Sequence, residues 1–216
     1  MPKFHTVIFD LDGTLADTVG DLNAAVNAAL VQFGFPTRTL EETRADVGNG
    51  IRNLIVRSTP EGTEEATCDA VLAAFRAYYR EHLLVETVAY SGMVELVREL
   101  KDAGVKMAVA SNKFQAGTEE IFRGLFADLI EEVRGETENC PRKPDPAIIQ
   151  RILNNLGSDK AGSVLVGDSE VDLKTAQNAD IDVIAVTWGF RSREQLASAG
   201  AEQFADTAAE LRDLLL

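Results

Sequence analysis

Residues 5–17 read HTVIFDLDGTLAD. The run His5–Phe9 is dominated by apolar and β-branched side chains, which predicts a short buried strand. Asp10 and Asp12 follow, and in an extended segment two residues of this spacing point their carboxylates to the same side. Gly13 then permits a sharp turn. Acidic pairs are common in turns after strands, so the pair alone is a weak indication of function.

Three further runs resemble the first and lie at Val105–Ala110, Ser163–Val166 and Asp182–Val186. Each is continuously apolar rather than alternating, which is typical of strands in a parallel sheet buried on both faces. Helical patterns separate the runs. The alternation predicts an α/β fold with a doubly wound parallel sheet and a Rossmann-like core.

One region lacks strand signals. From about Thr18 to Glu86 only helical patterns occur, such as the apolar face formed by Leu22, Val26 and Leu30. We therefore expect an all-helical domain over residues 17–87, inserted into an α/β core formed by residues 1–16 and 88–216.

The composition narrows the possible functions. The chain has 216 residues and a formal net charge of -14. Nucleic-acid binding depends on clustered lysine and arginine, so this charge argues against it. No apolar run approaches the roughly 20 residues of a membrane helix, and the N-terminus does not resemble a signal peptide, so we expect a cytoplasmic protein without membrane contact. Cys68 and Cys140 are expected to be free thiols.

The acidity also makes phosphate binding difficult unless a metal ion and local cations reverse the field. In open α/β sheets ligands bind at the carboxyl ends of the strands, so the residues that follow each strand are the candidates. Ser111 and Asn112 follow the second run, with Lys113 next to them. Such residues also begin loops and cap helices, so this signal is weak alone.

Two further groups stand near strand or helix ends. Lys143 precedes Pro144, a residue that stiffens the entry to the next helix. Gly167-Asp168 follows the third run, and Asp172 lies four residues beyond Asp168, on one helix face if the helix has already begun. Carboxylates here suit magnesium, although acids also stabilise helix N-termini.

Together, in this order, the four groups resemble the four signature motifs of the haloacid dehalogenase-like hydrolases. The matching residues are Asp10-x-Asp12-Gly13-Thr14, Ser111, Lys143 and Gly167-Asp168-x-x-x-Asp172. The helical insertion is similar to the cap domain of that family. The amino-acid sequences at 47–50, 111–113 and 187–191 further resemble the phosphoglycolate phosphatase branch. Ser91-Gly92 departs from the Pro-Gly that many relatives have after the cap.

The resemblance implies a magnesium-dependent phosphatase for small phosphate monoesters. It assigns Asp10 as the nucleophile that forms an aspartyl phosphate, and Asp12 as the general acid and base. Mg²⁺ is expected on the side chains of Asp10 and Asp168 and on the backbone carbonyl of Asp12, with Asp172 supporting them. Lys143 is expected to act in catalysis and phosphate binding, and the remaining phosphate-binding residues are expected to be Thr14, Ser111 and Asn112.

Substrate specificity is assigned to the insertion. Gly48, Asn49 and Gly50 precede a helical run, and two glycines let the next helix present free N–H groups. Arg52 lies close by and can form a forked pair with a carboxylate. We therefore expect this element to bind the carboxylate of 2-phosphoglycolate. A plain helix–loop–helix turn with a solvated arginine is the alternative.

Other functions remain open at this point. The chain can be a phosphatase for another small phosphometabolite or for pyrophosphate, a phosphosugar mutase, or a haloacid dehalogenase. Asp12 together with Asp168 argues against the dehalogenase. A non-catalytic binding module or a structural Ca²⁺ or Mg²⁺ site would use the same acids, but it would leave Lys143 and Ser111 without a role.

Overall fold

The computed structural model describes residues 2–48 and 50–216. In this part of the chain the strands, in order, are β1 Thr6–Phe9, β2 Ala16–Asp17, β3 Val88–Ala89, β4 Lys106–Phe114, β5 Glu132–Glu136, β6 Ser163–Gly167, β7 Asp182–Val186 and β8 Phe204–Ala205. The helices are α1 Val19–Gln32, α2 Leu40–Asp46, α3 Ile51–Ser58, α4 Glu65–Glu81, α5 Met93–Asp102, α6 Gln115–Phe126, α7 Ala147–Leu156, α8 Glu170–Ala179, α9 Arg193–Ser198 and α10 Ala208–Leu215.

The main sheet has six strands in the order β5-β4-β1-β6-β7-β8, and its paired strands are parallel. With helices between its strands, the sheet has the α/β architecture expected from the sequence. The chain divides into two compact units, one containing the residues up to Asp17 together with Ala89–Leu216 and the other spanning Thr18–Val88. The second unit contains the four helices α1 to α4, so the insertion is helical.

Burial on both faces explains why the sequence of the central strand β1 is continuously apolar. In β1, Val7, Ile8 and Phe9 are all fully buried, which requires cover on both faces of the sheet. Ile8 belongs to an apolar cluster with residues of α7 and α8, while its neighbours along the strand point the other way. Continuous apolar sequence is therefore the pattern that this position demands.

The register of the sheet positions the site. Phe9 is paired with Val109 of β4 and with Val166 of β6, so these residues of the three central strands lie at the same level near the carboxyl end of β1. Asp10, the next residue of the chain, donates its backbone N–H to the Val166 carbonyl at 2.9 Å. The polar residues that follow β1, β4 and β6 are consequently brought to one end of the sheet.

Two strands of the main sheet have no counterpart in the sequence prediction. β5 and β8 form its two edges, and most residues of β5 are only partly buried. An edge strand needs less apolar surface than a central one, so β5 does not form a continuous apolar run. β8 is apolar but has only two residues, too few to form a recognisable pattern. β4 also extends to Phe114, beyond the predicted end at Ala110, with a shift of register against β5 between these residues.

The helical unit has its own polar anchor. Asp21 of α1 is buried, and its carboxylate accepts hydrogen bonds from the backbone N–H groups of Val85, Glu86 and Thr87 at 2.9–3.1 Å. The Thr87 hydroxyl donates a fourth at 2.7 Å. These bonds satisfy the buried charge and fix the returning segment against the first helix of the same unit.

In the described residues, no helix is long and apolar enough to cross a membrane.

Candidate active site

Asp10 begins the site at the end of β1. Its carboxylate Oδ1 accepts a 2.7 Å hydrogen bond from the backbone N–H of Leu11 and lies 3.0 Å from Lys143 Nζ. Leu11 itself is fully buried, which separates the two acids of the motif by one inward-facing residue, as the alternation of an extended segment predicts.

Gly13 makes the following turn possible. Its φ of 83° lies in the left-handed region, and a Cβ added there would lie 2.3 Å from Asp168 Oδ2. Gly189 imposes the same requirement from another loop, because a Cβ there would lie 2.3 Å from Asp168 Cβ. Both glycines are needed for the backbone to approach the Asp168 side chain this closely.

Asp168 follows β6 and is held at both carboxylate oxygens. The Thr14 hydroxyl donates to Oδ1 at 3.1 Å, and the backbone N–H of Phe190 donates to Oδ2 at 2.7 Å. A helix face shared with Asp172 required the helix to have begun at Asp168, and this condition is not met, because α8 begins at Glu170. The two carboxylates meet because the chain turns at Ser169, the N-cap residue.

Asp172 is also bonded at both oxygens. Oδ1 accepts a 2.7 Å bond from Lys143 Nζ, and Oδ2 accepts from the Ser169 hydroxyl at 2.6 Å and from the Ser169 backbone N–H at 3.2 Å. The second set is a capping box, so the same residue stabilises the helix start and anchors the lysine.

Lys143 links Asp10 to Asp172, and its side chain is almost entirely buried. Its main chain is fixed by Asn112, because the Lys143 N–H donates to Asn112 Oδ1 at 2.8 Å and Asn112 Nδ2 donates to the Lys143 carbonyl at 3.1 Å. Asn112, predicted to bind phosphate, thus has a contact that positions the lysine. Its role toward phosphate stays a prediction.

The two predicted phosphate-binding hydroxyls differ in their contacts. Ser111 Oγ accepts from the backbone N–H of Lys113 at 3.1 Å, which leaves the hydroxyl hydrogen of Ser111 able to donate. The Thr14 hydroxyl donates to Asp168 and therefore helps to orient that carboxylate. Phosphate binding by either residue remains a prediction.

Asp12 pairs with a residue that the predicted site did not include. Lys113 Nζ lies 3.0 Å from Asp12 Oδ1, and the Lys113 side chain is only 3% exposed. The available signal was a lysine just beyond the predicted strand end at Ala110, in a position where burial would require an acidic partner. Sequence reasoning noted the cation but assigned it no task.

The electrostatics of the site follow from burial and like charge. Carboxylate oxygens of Asp10, Asp168 and Asp172 all lie within 4.8 Å of one another. Burial raises the pKa of Asp10 well above its usual value, the Lys143 ammonium opposes this, and the carboxylates of Asp172, Asp168 and Asp12 add to it. Burial and then Asp172 raise the pKa of Asp168 to about 7, against the opposing hydrogen bonds from Phe190 and Thr14 and the charge of Lys143.

Lys143 responds in the opposite direction. Burial lowers the pKa of its ammonium, but the carboxylates of Asp10 and Asp172 outweigh burial and hold this pKa above its ordinary value. The lysine therefore stays protonated at any physiological pH. It compensates only part of the negative charge of the three neighbouring acids.

These residues fit a divalent cation. The four acids Asp10, Asp12, Asp168 and Asp172 with Lys113 and Lys143 leave a formal excess of two negative charges when all are ionised. Burial, with the like charge of the neighbouring carboxylates adding to it, raises the pKa of both Asp10 and Asp168, so a bound cation would stabilise their ionised forms. Oxygen donors around one point are the ligands that hard divalent cations prefer.

The predicted specificity residues belong to the helical unit. Gly50 caps α3 with a φ of 83°, and Gly48 also has a positive φ of 119°. Asn49 lies outside the described residues. Arg52, in the first turn of α3, forms ion pairs with Glu65 at 2.8 Å and Asp69 at 3.2 Å on α4. The proposed carboxylate-binding arginine thus already has carboxylate partners, and its specificity role stays a prediction.

Comparison with known proteins gives consistent results. A model of the haloacid dehalogenase-like hydrolase family matches residues 7–186. The phosphoglycolate phosphatase of Rhodospirillum rubrum is 33% identical over 223 residues, covering 100% of this chain and 91% of its own. That of Colwellia psychrerythraea is 34% identical over 215 residues, covering 96% of this chain and 95% of its own.

A crystal structure from Lactobacillus delbrueckii subsp. bulgaricus, of a protein provisionally assigned as a phosphoglycolate phosphatase, has a TM-score of 0.94. It is 32% identical and covers 100% of this chain and 99% of its own. The match extends over both the α/β core and the helical insertion, and the four predicted motifs lie within the range of the family model. This chain belongs to the haloacid dehalogenase-like hydrolases.

Proposed function

We propose that this protein is a Mg²⁺-dependent phosphatase that hydrolyses 2-phosphoglycolate through a phospho-enzyme on Asp10. Phosphatase activity of the haloacid dehalogenase type follows from the family and the relatives. The observation that carries the mechanism is the grouping of Asp10 with Lys143 at 3.0 Å and with two further carboxylates. The substrate is inferred from the relatives, which are phosphoglycolate phosphatases by name.

In the first step a carboxylate oxygen of Asp10 attacks phosphorus and the bond from phosphorus to the bridging oxygen breaks. The leaving alkoxide takes a proton from the Asp12 carboxyl group. Lys143 favours the ionised form of Asp10 and orients its carboxylate, since the ammonium lies between Asp10 and Asp172.

In the second step water attacks the aspartyl phosphate. Asp12, now a carboxylate, accepts the proton of that water, and the bond between phosphorus and the Asp10 oxygen breaks to release inorganic phosphate. Ser111 can donate its hydroxyl hydrogen to a phosphoryl oxygen throughout, because its oxygen already accepts from a backbone N–H. Splitting hydrolysis in two lets one acid serve both steps.

Asp10 and Asp168 would hold the cation through their side chains and Asp12 through its backbone carbonyl, while Asp172 would support them through Lys143. When bound, a Mg²⁺ ion supplies positive charge that polarises phosphoryl oxygens. Thr14 and Phe190 contribute by fixing the orientation of Asp168.

The decisive experiment is a screen of the purified protein against 2-phosphoglycolate, pyrophosphate, a hexose phosphate and chloroacetate. Each assay is run with Mg²⁺, with excess Ca²⁺ and with a chelator after metal analysis. We expect phosphate release from phosphoglycolate with Mg²⁺, weakened by Ca²⁺, which prefers more ligands and longer bonds. Full activity without metal would contradict the proposal, and halide release from chloroacetate would favour the dehalogenase alternative.

The covalent step has a separate test. Brief incubation with phosphate-labelled substrate followed by acid quenching should leave label on the protein, and hydroxylamine should release it because it cleaves acyl phosphates. Label that is absent under conditions of measured turnover would contradict the phospho-enzyme while leaving hydrolysis itself established.

A further inference from the structure

Lys113 is a buried cation at the active site that the mechanism above does not use. It lies near the end of β4, its Nζ is 3.0 Å from Asp12 Oδ1, and the two side chains are 3% and 15% exposed. Buried lysines are rare unless they are paired, so the contact with Asp12 accounts for a position that would otherwise be unfavourable.

The backbone around Lys113 is fixed on three sides. Its N–H donates to Ser111 Oγ at 3.1 Å, and its carbonyl accepts from the Thr118 hydroxyl at 3.2 Å. A Cβ added to Gly135 of β5 would lie 2.5 Å from the same carbonyl oxygen, so that strand passes directly against it. The Lys113 side chain therefore extends from a well-fixed segment of backbone rather than from a free loop.

Each of the two lysines of the site contacts a different acid of the first motif. Lys143 contacts Asp10, whereas Lys113 contacts Asp12. A charge-assisted hydrogen bond is stronger and shorter than a neutral one, so each lysine restricts the orientation of its carboxylate. Proton transfer requires the acid to be within hydrogen-bond reach of the reacting oxygen, and a carboxylate free to rotate would satisfy this only part of the time.

We propose that Lys113 is a positioning residue for Asp12, holding its carboxyl group in the orientation in which it exchanges a proton with the leaving-group oxygen. The inference rests on the proposed phosphatase function and adds a residue to its machinery. It predicts that loss of Lys113 slows the reaction more for leaving groups that need a proton than for those that do not.

Three substrates separate this role from the alternatives. The leaving groups of 2-phosphoglycolate and ethyl phosphate are alkoxides that need a proton, but only the first carries a carboxylate. The leaving group of p-nitrophenyl phosphate needs little protonation. The measurement is the rate of leaving-group release in the first turnover, with enzyme in excess and Mg²⁺ present, so that later steps do not limit it.

We expect Lys113→Met to slow both alkyl phosphates by about 10- to 100-fold, because part of the general-acid contribution is lost. Release of p-nitrophenol should change by less than about threefold. The double variant Lys113→Met with Asp12→Asn should be no slower than Asp12→Asn alone, since the lysine acts through the acid. Lys113→Arg, which keeps a cation, should restore part of the loss.

Lys106→Met is the matched control. Lys106 begins the same strand at its opposite end, where its Nζ donates to the carbonyls of Leu156 and Gly157. This variant should leave the rates on all three substrates unchanged. Thermal melts establish folding for every variant, and Lys113→Gln replaces Lys113→Met if the latter does not fold.

Equal slowing on the three substrates would overturn the proposal, because it would indicate phosphate binding or a general structural role. Slowing confined to phosphoglycolate would also overturn it and would assign Lys113 to the substrate carboxylate. Unchanged rates would exclude any role in the first step. A wild-type protein without turnover on all three esters would instead overturn the proposed function, and the Lys113 inference with it.

Discussion

The active site of the α/β core and the ion pairs of Arg52 in the helical unit contain contacts of nearly equal length, but one set is buried and the other is exposed. Lys143 Nζ and Asp172 Oδ1 are 2.7 Å apart and both side chains are 1% exposed. Arg52 and Glu65 are 2.8 Å apart, but their side chains are 44% and 82% exposed. Distance alone does not distinguish the two pairs, whereas exposure does.

Exposure determines what each pair contributes. Removing one partner of a buried pair leaves an uncompensated charge and costs about 3–5 kcal/mol, whereas an exposed pair contributes about 0–1 kcal/mol. The buried side chains of Lys143 and Asp172 are therefore held in one geometry. Arg52 can exchange Glu65 and Asp69 for another carboxylate at little cost, which is compatible with its predicted role in binding the substrate carboxylate.

The largest effect should come from the centre of the core site. Asp10→Asn removes the nucleophile, so phosphate release should fall below detection while the protein stays folded, as measured by a phosphate assay together with a thermal melt. Asp213→Asn, at an exposed residue paired with Arg212, is the control and should have no effect. Activity of Asp10→Asn within about tenfold of wild type would contradict the covalent mechanism.

The next effect tests the second acid of the same motif. Asp12→Asn should reduce the rate on alkyl phosphates by about 10²–10⁴-fold, because the alkoxide leaving group loses its proton donor. The first-turnover rate on p-nitrophenyl phosphate should fall much less. Equal losses on the two substrate types would remove Asp12 from the role of general acid.

A third prediction concerns stability of the metal-free protein. Burial and Asp172 raise the pKa of Asp168 to about 7 in the fold, whereas an unfolded chain has a value near 3.8. The folded state therefore binds this proton more tightly, so stability should fall as pH rises from about 4 to about 7 and then level off. Between pH 5 and pH 7 the loss of stability from this group is roughly 2 kcal/mol.

The measurement is a series of thermal melts in chelator, comparing wild type with Asp168→Asn across this range. The wild type should lose stability with rising pH more steeply than the variant, which has no carboxyl group to ionise. Added Mg²⁺ should flatten the wild-type curve, because the cation stabilises the ionised form. Parallel curves for the two proteins would show that Asp168 is not the group responsible.

The smallest effect is expected in the helical unit. If Arg52 binds the substrate carboxylate, Arg52→Ala should lower kcat/KM for phosphoglycolate by roughly 10- to 150-fold, and the competing Glu65 and Asp69 favour the lower end. p-Nitrophenyl phosphate has no carboxylate and should be unaffected. Arg57→Ala, on the exposed side of the same helix, is the control.

Asp69→Asn sharpens this test. It removes one competitor for Arg52 and should raise kcat/KM for phosphoglycolate slightly, without changing the other substrate. If Arg52→Ala lowers both substrates together, or neither, the carboxylate is bound elsewhere and the buried core would account for specificity as well as chemistry.

Local sequence was sufficient for the elements whose burial is complete. β1 and β6 are buried throughout and were predicted within one residue at either end, because a strand covered on both faces must be continuously apolar. β7 was predicted with the bounds it has in the structure, and it is buried over its last three residues. The fold class and the helical insertion were inferred from apolar patterns, and the family resemblance from the four polar motifs; all three are confirmed. The edge strands β5 and β8 were missed, since partial exposure of β5 removes the constraint that makes a strand recognisable and β8 has only two residues.

The contacts within the site required the folded chain. Asp10, Lys143 and Asp172 are far apart in sequence, and their distances follow from the parallel register of β1, β4 and β6 and from the bonds between Asn112 and the Lys143 backbone. The pairing of Lys113 with Asp12 is of the same kind. Residue types and motif spacing reveal which chemistry is available, because they depend on neighbours along the chain. Which charge meets which depends on neighbours in space, and those are set by how strands more than a hundred residues apart align.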